Sequence, residues 1–379
     1  MKLLHISDLH LGKRLQEHSL LEDQRHILQQ ILEIVDAEAP RGVLIAGDVY
    51  DKSLPSAEAV SLFDDFLSSL VQRGVAVFVI AGNHDSPERI AFGAQIMAAA
   101  GVYVSPLYRG DVRPICLGDE HGPVNFYLLP FLKPAHVRAC FPDESIESYT
   151  DALRVAIAHM NVEEGERNVL LTHQFVTGAS SCDSEVRSVG GSDNVDAEVF
   201  APFDYVALGH IHGPQHISRP TLRYCGTPLK YSFSEIDHKK SVTLVELSEK
   251  GSVALRTIPV KPLHELRQLK GSFSDLMKGP SEEGWKQDYL HLTLTDEETV
   301  PDAIGRLRTV YSHILKLDYD NTRSRSRDLL QVPDLEQKRS SLEYFEEFFV
   351  LRNGRELSPI QRSYVAKRLE EMEADTCDL

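Results

Sequence analysis

Five short apolar runs of this chain are each followed closely by polar side chains that can bind a metal ion. The runs cover residues 3–6, 43–46, 75–81, 169–171 and 205–208. The polar side chains that follow them are Asp8, His10, Asp48, Asn83, His84, His173, His210 and His212. Short apolar runs bounded by turn residues predict buried strands of a mostly parallel sheet. Because ligands of open α/β sheets collect beyond the carboxyl ends of the strands, the sequence predicts that these side chains converge.

The spacing inside these motifs suits metal binding. Asp8 and His10 flank one residue, so in an extended segment their side chains lie on the same side and can bind one cation together. His210 and His212 repeat this spacing. One such motif is weak evidence, because a single histidine more often has a hydrogen-bonded structural role. Four motifs in one chain favour a metal site.

The predicted ligands are more numerous than one ion needs. They are Asp8, His10, Asp48, Asn83, His173, His210 and His212. Two carboxylates, one amide oxygen and four imidazoles suit two ions about 3.5 to 4 Å apart that share a bridging carboxylate, for which Asp48 is the candidate. Mixed nitrogen and oxygen ligands fit manganese, iron or zinc better than magnesium or calcium. Two divalent cations against two carboxylates leave a local charge of about +2, which favours a phosphodiester substrate.

The chemistry of such a site requires a proton donor beside the ions. Two ions would activate a water molecule and hold the attacking and leaving oxygens in line, but the leaving alkoxide still needs a proton. His84 is the candidate for general acid catalysis or transition-state stabilisation, and the alternative is that it only orients a ligand. Asp51 and Asp85 are predicted to hold the imidazoles and the turn from outside the ligand set. The sequence contains no Walker-type phosphate loop, which argues against ATP binding by this chain.

Two segments with helical periodicity are predicted to cover the sheet. Apolar residues fall on one helical face over residues 20–37 and again over residues 60–71. Further strands are predicted at residues 124–129, 222–225, 242–246 and 253–257. The last of them fit a second sheet packed on the first, so the predicted fold class is α/β, an α+β sandwich of two sheets. Residues 177–194 are predicted to form a loop that either touches substrate or is a surface excursion.

The length of 379 residues predicts several domains, because one ordinary core takes roughly 150 residues. Residues 1–260 form the predicted sandwich domain. Residues 261–325 are predicted to form a small α/β domain, with a strand at 289–294 and a helix whose pattern runs through Ala303, Leu307, Val310 and Ile314. Residues 326–341 are a predicted polar linker, and residues 342–379 a helical tail.

The tail is predicted to contain helices with an apolar stripe. Ser358 supplies an N-cap, Pro359 a first-turn proline and Gln361 a capping-box partner. The apolar residues are Leu342, Phe345, Phe348, Phe349, Ile360, Tyr364, Val365, Leu369 and Met372. This is more apolar surface than a short helical pair can hide alone.

Composition restricts the location and the partners of the chain. A net charge of -17 opposes non-specific attraction to polyanions such as DNA. No apolar stretch approaches the ~20 residues that a membrane span needs, and the N-terminus lacks a signal-peptide pattern, so a cytoplasmic protein is expected. The five cysteines form no CxxC pair, so neither a zinc ribbon nor a redox dithiol is indicated.

The motif blocks together resemble those of the calcineurin-like metallophosphoesterase superfamily. The blocks are Asp8-Leu9-His10, Gly47-Asp48-Val49-Tyr50-Asp51, Gly82-Asn83-His84-Asp85, His173 and Gly209-His210-Ile211-His212. Three wider segments, at residues 6–12, 203–210 and 224–235, resemble the bacterial SbcD family of nuclease subunits. The resemblance covers the first 260 residues. It implies the two-sheet core of that superfamily with helices outside, followed by a small α/β capping domain and C-terminal helices.

The resemblance also implies ligand sets and an activity. One manganese ion would be held by Asp8, His10, Asp48 and His212, and the other by Asp48, Asn83, His173 and His210. His84 would be catalytic, whereas Asp51 stands where some relatives carry a histidine and is given no catalytic role. The implied activity is that of a DNA nuclease in repair, recombination and replication. It would combine 3′ to 5′ double-strand exonuclease action with endonuclease action on single strands and hairpins.

The implied partners are DNA, a second copy of the chain, and SbcC, an ATPase subunit with a long coiled coil. The homodimer would sit in a heterotetramer with residues 342–372 as docking helices, and the assembly would supply the DNA-binding surface that this acidic chain lacks. Two alternatives stay open: a small-molecule or cyclic-nucleotide phosphodiesterase with the same metal site, and a metal-free scaffold of an assembly. A protein phosphatase is disfavoured because no arginine follows Asp51.

Overall fold

The computed structural model describes residues 1–185, 193–280, 282–322 and 324, and parts of the tail at 342, 345–346, 349–350, 355–365 and 368. The predicted linker at 326–341 therefore lies outside the described residues, as do Phe348, Leu369 and Met372 of the predicted stripe. By its internal contacts the chain divides into two units. They are Met1–Thr295 with Val300–Asp318, and Asp296–Thr299 with Tyr319–Leu379.

Strands and short helices alternate along most of the chain. In chain order the strands are β1 (Lys2–Ile6), β2 (Arg14–Leu15), β3 (His18–Ser19), β4 (Gly42–Ala46), β5 (Ala76–Ile80), β6 (Val102–Val104), β7 (Ile115–Asp119), β8 (Gly122–Leu129), β9 (Arg167–His173), β10 (Phe175–Val176), β11 (Asn194–Val195), β12 (Tyr205–Gly209), β13 (Gln215–Ile217), β14 (Arg219–Tyr224), β15 (Ser241–Leu247), β16 (Val253–Pro259), β17 (Leu266–Gly271), β18 (Tyr289–Leu294) and β19 (His313–Tyr319). The α-helices are α1 (Leu21–Glu38), α2 (Ala57–Gln72), α3 (Pro87–Ile90), α4 (Ala94–Ala98), α5 (Pro134–Cys140), α6 (Tyr149–Ala158), α7 (Phe273–Leu276) and α8 (Ala303–Leu307). Short 3-10 helices cover Ala197–Phe200, Phe233–Glu235 and Glu283–Gln287.

Two six-stranded sheets form the larger part of the fold. The first has the order β16-β15-β1-β4-β5-β6, and the second β13-β14-β12-β9-β8-β7. In each sheet four consecutive strands run parallel. They are β1, β4, β5 and β6 in the first sheet and β14, β12, β9 and β8 in the second. The prediction of two sheets is confirmed. The placement of residues 242–246 and 253–257 in the second sheet is wrong, because β15 pairs antiparallel with β1 in the first.

The core between the sheets is built from alternate residues of the central strands. Leu44 and Phe78 of the first sheet share one buried cluster with Phe126 and Leu171 of the second. The rings of Phe78 and Phe126 stack with centroids 4.2 Å apart. The opposite faces pack against α1 and α2 on the first sheet and against α6 on the second. The architecture is therefore a sandwich of two sheets with helices outside, as the sequence predicts.

The five strands that precede the predicted ligands divide between the two sheets. β1, β4 and β5 belong to the first sheet, and β9 and β12 to the second. The expectation of a single sheet is therefore wrong. A short apolar run identifies a buried strand but carries no information about which strand it pairs with, so the sequence could not separate the two sheets.

A third sheet, with the order β17-β18-β19, follows the sandwich. The strand predicted at 289–294 is confirmed as β18. The helix predicted through Val310 and Ile314 is wrong at its end, because α8 stops at Leu307 and Ile314 lies in β19. Thr309 and Val310 are β-branched, which weakens a helix, and the apolar run after them joins the sheet instead.

The described part of the tail contains a helix at residues 359–365. The Ser358 hydroxyl accepts a hydrogen bond from the Gln361 N–H at 3.3 Å, and Gln361 Oε1 accepts one from the Ser358 N–H at 3.0 Å. This confirms the predicted capping box. Among the described residues, none of the helices has the length and apolar character that crossing a membrane requires.

Candidate metal centre

Four of the seven predicted ligands have a left-handed backbone conformation. The φ angles are 53° at Asp8, 43° at His10, 48° at Asp48 and 102° at His210. Each such angle in a residue other than glycine costs on the order of 1 to 3 kcal/mol and persists only where its surroundings hold it. Here the Asp8 N–H donates to Gly47 O at 3.0 Å, and the His10 N–H to Asp48 O at 2.9 Å. Backbone strain is thus concentrated where the strand ends meet, as at many functional sites.

Glycines allow these strand ends to approach closely. A Cβ atom on Gly209 would lie 1.9 Å from the Ala46 carbonyl oxygen, where the end of β12 meets the end of β4. A Cβ atom on Gly82 would lie 2.1 Å from Asp48 Oδ1. Any side chain at either position would push the two sheets or the two turns apart. The glycines that precede the predicted ligands are therefore required for convergence.

Asp48 lies at the centre of the cluster. Its Oδ2 is 3.4 Å from His173 Nε2 and 3.7 Å from His10 Nε2, so one carboxylate faces both groups of imidazoles. Its Oδ1 accepts a hydrogen bond from the His84 N–H at 2.9 Å. This is the position that a carboxylate bridging two ions must have.

On one side of Asp48, three predicted ligands offer atoms to one point. Ligand atoms of Asp8, His10 and His212 lie within 4.8 Å of one another. His10 Nε2 and His212 Nε2 are 3.3 Å apart. Two neutral imidazoles that point nitrogen lone pairs at each other repel, unless a proton or a metal ion lies between them. The donor atoms therefore fit a cation at this point.

On the other side, an amide oxygen faces two imidazoles. Asn83 Oδ1 is 3.0 Å from both His173 Nε2 and His210 Nδ1. His173 Nδ1 lies 2.9 Å from the Ala46 carbonyl oxygen, which can only accept, so this nitrogen carries the proton. The Nε2 lone pair of neutral His173 then points at oxygens of Asn83 and Asp48. A cation resolves this repulsion, so the second group of donors also fits a divalent metal ion.

Burial and mutual charge shift the pKa values of these groups. Burial raises the pKa of Asp8 to about 6, although nearby imidazoles oppose the shift. Burial would also raise that of Asp48, but His173 and His10 outweigh it and hold the pKa of this carboxyl far below its usual range. Burial lowers the pKa of His10 strongly and that of His210 to about 3. Two imidazoles are therefore neutral at physiological pH, which is the state that binds metal.

Two other imidazoles have raised pKa values. Burial would lower the pKa of His173, but the carboxylates of Asp48 and Asp8 outweigh it and raise the value to about 9. Burial likewise opposes protonation of His212, but the neighbouring Cys182 and Glu235 side chains outweigh it and raise its pKa to about 10. Without metal ions, protons on these two rings provide the positive charge that the carboxylates require.

His84 lies beside the ligands with part of its ring exposed. Its ring centroid is 4.8 Å from that of His10, at nearly a right angle. Nδ1 of His84 is 2.9 Å from the Asp51 carbonyl oxygen, so this nitrogen carries a proton and Nε2 is the atom left for substrate. The Asp51 carboxylate pairs with Lys13 at 2.8 Å. Asp51 thus holds an imidazole through its backbone, which the side chain alone could not indicate.

Asp85 and two unpredicted residues support the ligand turns. The Asp85 carboxylate accepts hydrogen bonds from three backbone N–H groups, those of Val49, Tyr50 and Gly82, at 2.9 to 3.1 Å. It therefore ties the Asp48 turn to the Asn83 turn. Gln24 of α1 donates to His10 O at 2.7 Å, and the Tyr231 hydroxyl donates to Leu9 O at 2.5 Å. The sequence signal for Gln24 is a polar position on the apolar face of a helix.

Two family models and two named relatives match most of this chain. The family model for calcineurin-like phosphoesterases matches residues 1–214, and the SbcD_C model, described as the type 5 capsule protein repressor C-terminal domain, matches residues 262–353. A protein of Staphylococcus epidermidis, named as the SbcD subunit of the nuclease SbcCD, is 33% identical over 321 residues, which cover 84% of this chain and 85% of the relative. A protein of the same name from Staphylococcus saprophyticus is 33% identical over 321 residues, with 84% of each chain covered.

We expect the affinity for Mn²⁺ to rise as the pH is raised from about 6 to about 8. His173 and His212, with pKa values of about 9 and about 10, carry protons at neutral pH in the metal-free protein, and a metal ion must displace them. Below about pH 6 the Asp8 carboxyl also takes up a proton and competes further. Isothermal titration calorimetry in two buffers of different ionisation enthalpy measures the protons released per ion. An affinity that stays constant over this range, with no proton release, would contradict the predicted ligand set.

Proposed function

Because this chain belongs to the calcineurin-like phosphoesterase family, we propose that it hydrolyses phosphodiester bonds of DNA as the nuclease subunit of an SbcCD-type complex. The observation that carries the proposal is the convergence of seven metal-binding side chains, six of them buried, around Asp48. Two relatives named as the SbcD subunit of the nuclease SbcCD, each matched over most of its length, support the choice of DNA as substrate.

The proposed ligand sets follow the two sides of Asp48. One ion would be held by Asp8, His10, Asp48 and His212, and the other by Asp48, Asn83, His173 and His210. The mixed nitrogen and oxygen donors support manganese as the native metal, with zinc or iron as the competing ions. When bound, the two ions would supply an activated water and would neutralise charge on the phosphoryl oxygens.

His84 is the proposed catalytic residue. The Asp51 carbonyl oxygen fixes the proton on Nδ1, and the Asp48 carboxylate holds the His84 backbone N–H, so the ring has one orientation. When the ring is doubly protonated, Nε2 would give its proton to the leaving oxygen of the cleaved strand, and His84 would return to the neutral form with its remaining proton on Nδ1. The site itself would attract the phosphodiester, since the cations and not the acidic chain supply the local positive charge.

The finer features of the activity are part of the same proposal. We infer a cytoplasmic protein with 3′ to 5′ exonuclease action on double strands and endonuclease action on single strands and hairpins, in DNA repair, recombination and replication. An SbcC ATPase subunit with a long coiled coil would contribute the DNA-binding surface, which a chain of net charge -17 does not offer by itself. Residues 261–325 would cap the DNA next to the nuclease domain at 1–260.

A second copy of the chain is the proposed partner of an apolar surface beside the site. Leu54 is 71% exposed, Phe92 84% and Ile96 81%. Leu54 follows the Asp48 turn, and the other two follow the Asn83 turn in the segment of α3 and α4. Large apolar side chains exposed on two segments that each follow a ligand turn support a protein interface. A homodimer would place two metal centres near each other, as cutting both strands of a duplex requires.

The tail offers a second apolar surface, for which the proposed partner is SbcC. On the helix at 359–365, Ile360 is 83% exposed and Tyr364 62% exposed. They are four residues apart and therefore share one face. Because the capping box defines the start of this helix, the face is presented on a short, fixed element suited to docking.

The alternatives account for fewer observations. A small-molecule or cyclic-nucleotide phosphodiesterase would use the same metal ligands but has no need of the C-terminal segment, which matches its own family model. A metal-free scaffold would have no reason to keep mutually repelling imidazole and carboxylate groups buried at one point.

For the nuclease activity we expect His84→Gln to lower the cleavage rate by about 10² to 10⁴ while leaving Mn²⁺ binding intact, because the variant removes a proton donor and no ligand. Cleavage of linear duplex and hairpin DNA is measured for the chain alone and with its ATPase partner, with Mn²⁺ and ATP. His121→Gln, in the turn between β7 and β8, serves as the control and should keep full activity. Wild-type turnover of bis(p-nitrophenyl) phosphate without any DNA cleavage would favour the small-molecule alternative.

For the dimer, we expect Phe92→Asp to convert the chain from a dimer to a monomer in sedimentation velocity, because a charge at the centre of an apolar interface is costly to bury. Leu263→Asp is the matched control, since Leu263 is 42% exposed but distant in sequence from the proposed face. A wild-type chain that sediments as a monomer at all concentrations, or a Phe92→Asp variant that remains dimeric, would refute this interface.

For the tail, we expect Ile360→Glu to abolish co-purification with the SbcC ATPase without changing hydrolysis of bis(p-nitrophenyl) phosphate by the isolated chain. The glutamate places a charge on the face that the partner would cover. Arg362→Gln, on the opposite face of the same helix, is the control and should retain the partner. Unchanged co-purification of Ile360→Glu would exclude this face as the docking surface.

A further inference from the structure

The backbone of the proposed ligand His212 is fixed at both its donor and its acceptor. Glu185 Oε1 accepts the His212 N–H at 2.6 Å. The His212 carbonyl oxygen accepts from Lys240 Nζ at 2.9 Å and from the Thr227 N–H at 3.1 Å. The ring of His212 is therefore the only part of the residue whose orientation remains to be set.

Ser184 and Glu235 set that orientation. The Ser184 hydroxyl donates to Glu235 Oε1 at 2.6 Å. A hydroxyl has one proton, so Ser184 Oγ can only accept from His212 Nδ1, which lies 2.7 Å away. The proton of neutral His212 is thereby kept on Nδ1, and the Nε2 lone pair points toward His10 Nε2 and the proposed metal position.

Glu235 is itself held in one place by buried partners. The carboxylate has no exposed surface, and Lys240, which is 6% exposed, lies 2.5 Å from Oε2. The Tyr231 N–H donates to Oε1 at 3.1 Å. A buried ion pair contributes little to stability, because desolvation of the two charges offsets their attraction. The position of this ion pair next to the proposed ligand His212 is better explained by the orientation that it imposes on the imidazole ring.

We propose that Ser184 and Glu235 are positioning residues that fix the tautomer and direction of His212 and so set the affinity of one of the two metal ions. The inference rests on the proposed role of His212 as a ligand. Ser184 belongs to the loop that begins at Thr177, so this part of the loop acts on the metal centre and is not only a surface excursion. The sequence could not indicate this, because Ser184 and Glu235 are 51 residues apart.

A separate metal ion bound by this cluster is the competing interpretation. Cys182, His212 and Glu235 place potential ligand atoms within 4.8 Å of one another. However, the Lys240 ammonium already neutralises Glu235, and the Ser184 hydroxyl already satisfies His212 Nδ1. A cation added here would meet a fixed positive charge and displace two hydrogen bonds, so the hydrogen-bonded arrangement is favoured.

The test is a calorimetric titration of the full chain with Mn²⁺ at constant pH. We expect Ser184→Ala and Glu235→Gln each to lower the affinity for one of the two ions about 10- to 100-fold. The affinity for the other ion should change less than about twofold. Ser184→Thr keeps the hydroxyl and should restore the affinity. Ser181→Ala is the matched control in the same loop, because Ser181 Oγ has no hydrogen-bond partner in the described structure.

Each outcome decides for or against the proposal. Unchanged Mn²⁺ affinities in Ser184→Ala, or affinities for both ions lowered by the same factor, would overturn the proposal. A third Mn²⁺ ion that binds to the wild type and is lost with Cys182→Ser would overturn it too. Glu235→Gln leaves Lys240 without its partner and is therefore checked for folding by circular dichroism. If this variant is unfolded, the comparison of Ser184→Ala with Ser184→Thr decides alone. Failure of the wild type to cut DNA would refute the proposed nuclease without changing the metal titration, so the two failures are distinguishable.

Discussion

The close approach of the two sheets at their carboxyl edges is the constraint on which the rest of the site depends. β12 meets β4 so closely that a Cβ atom on Gly209 would lie 1.9 Å from Ala46 O, and the same carbonyl oxygen orients His173. The stacked aromatic core of Phe78 and Phe126 holds the sheets at this separation. The proposed ligands, which follow strands of two different sheets, could share one pair of ions only because these strand ends are in contact.

Burying the converging carboxylates and imidazoles costs free energy, and bound metal ions would offset this cost. The described site buries two carboxylates and four imidazoles, and four of these residues have left-handed backbone angles. Without cations, the cluster is balanced by protons on His173 and His212, whose pKa values are raised, while His10 and His210 remain neutral. Protons and metal ions therefore compete for the same positions. Binding of metal to the folded chain stabilises it against unfolding by mass action, so folding and cofactor loading are coupled.

The sequence predicted the parts of this arrangement that are local and missed those that depend on tertiary pairing. The seven proposed ligands follow five short apolar runs, so the candidates and their strands could be predicted without knowledge of the fold. The assignment of strands to sheets could not be predicted from the sequence, because β15 pairs with β1 through residues that are more than 200 positions apart. The end of α8 was missed because helical spacing continued by chance to Ile314. Gln24 is visible in the sequence only as a polar position on the apolar face of α1, and Glu235 only as the last residue of a segment that resembles the SbcD family. The folded structure alone relates these two side chains to the metal centre.

The groups that orient the proposed histidine ligands differ between the two sides of the metal centre. His173 is oriented by a main-chain carbonyl oxygen, that of Ala46, which no substitution removes. His212 is oriented by side chains, through Ser184 and Glu235, and these can be substituted singly. The proposed ion on the His173 side would therefore be held in place by the fold itself, whereas the affinity for the proposed ion on the His212 side could be adjusted without moving a strand. In a phosphoesterase that binds two ions, substitutions at Ser184 or Glu235 would thus change the affinity for one ion and leave the strands that hold the other in place.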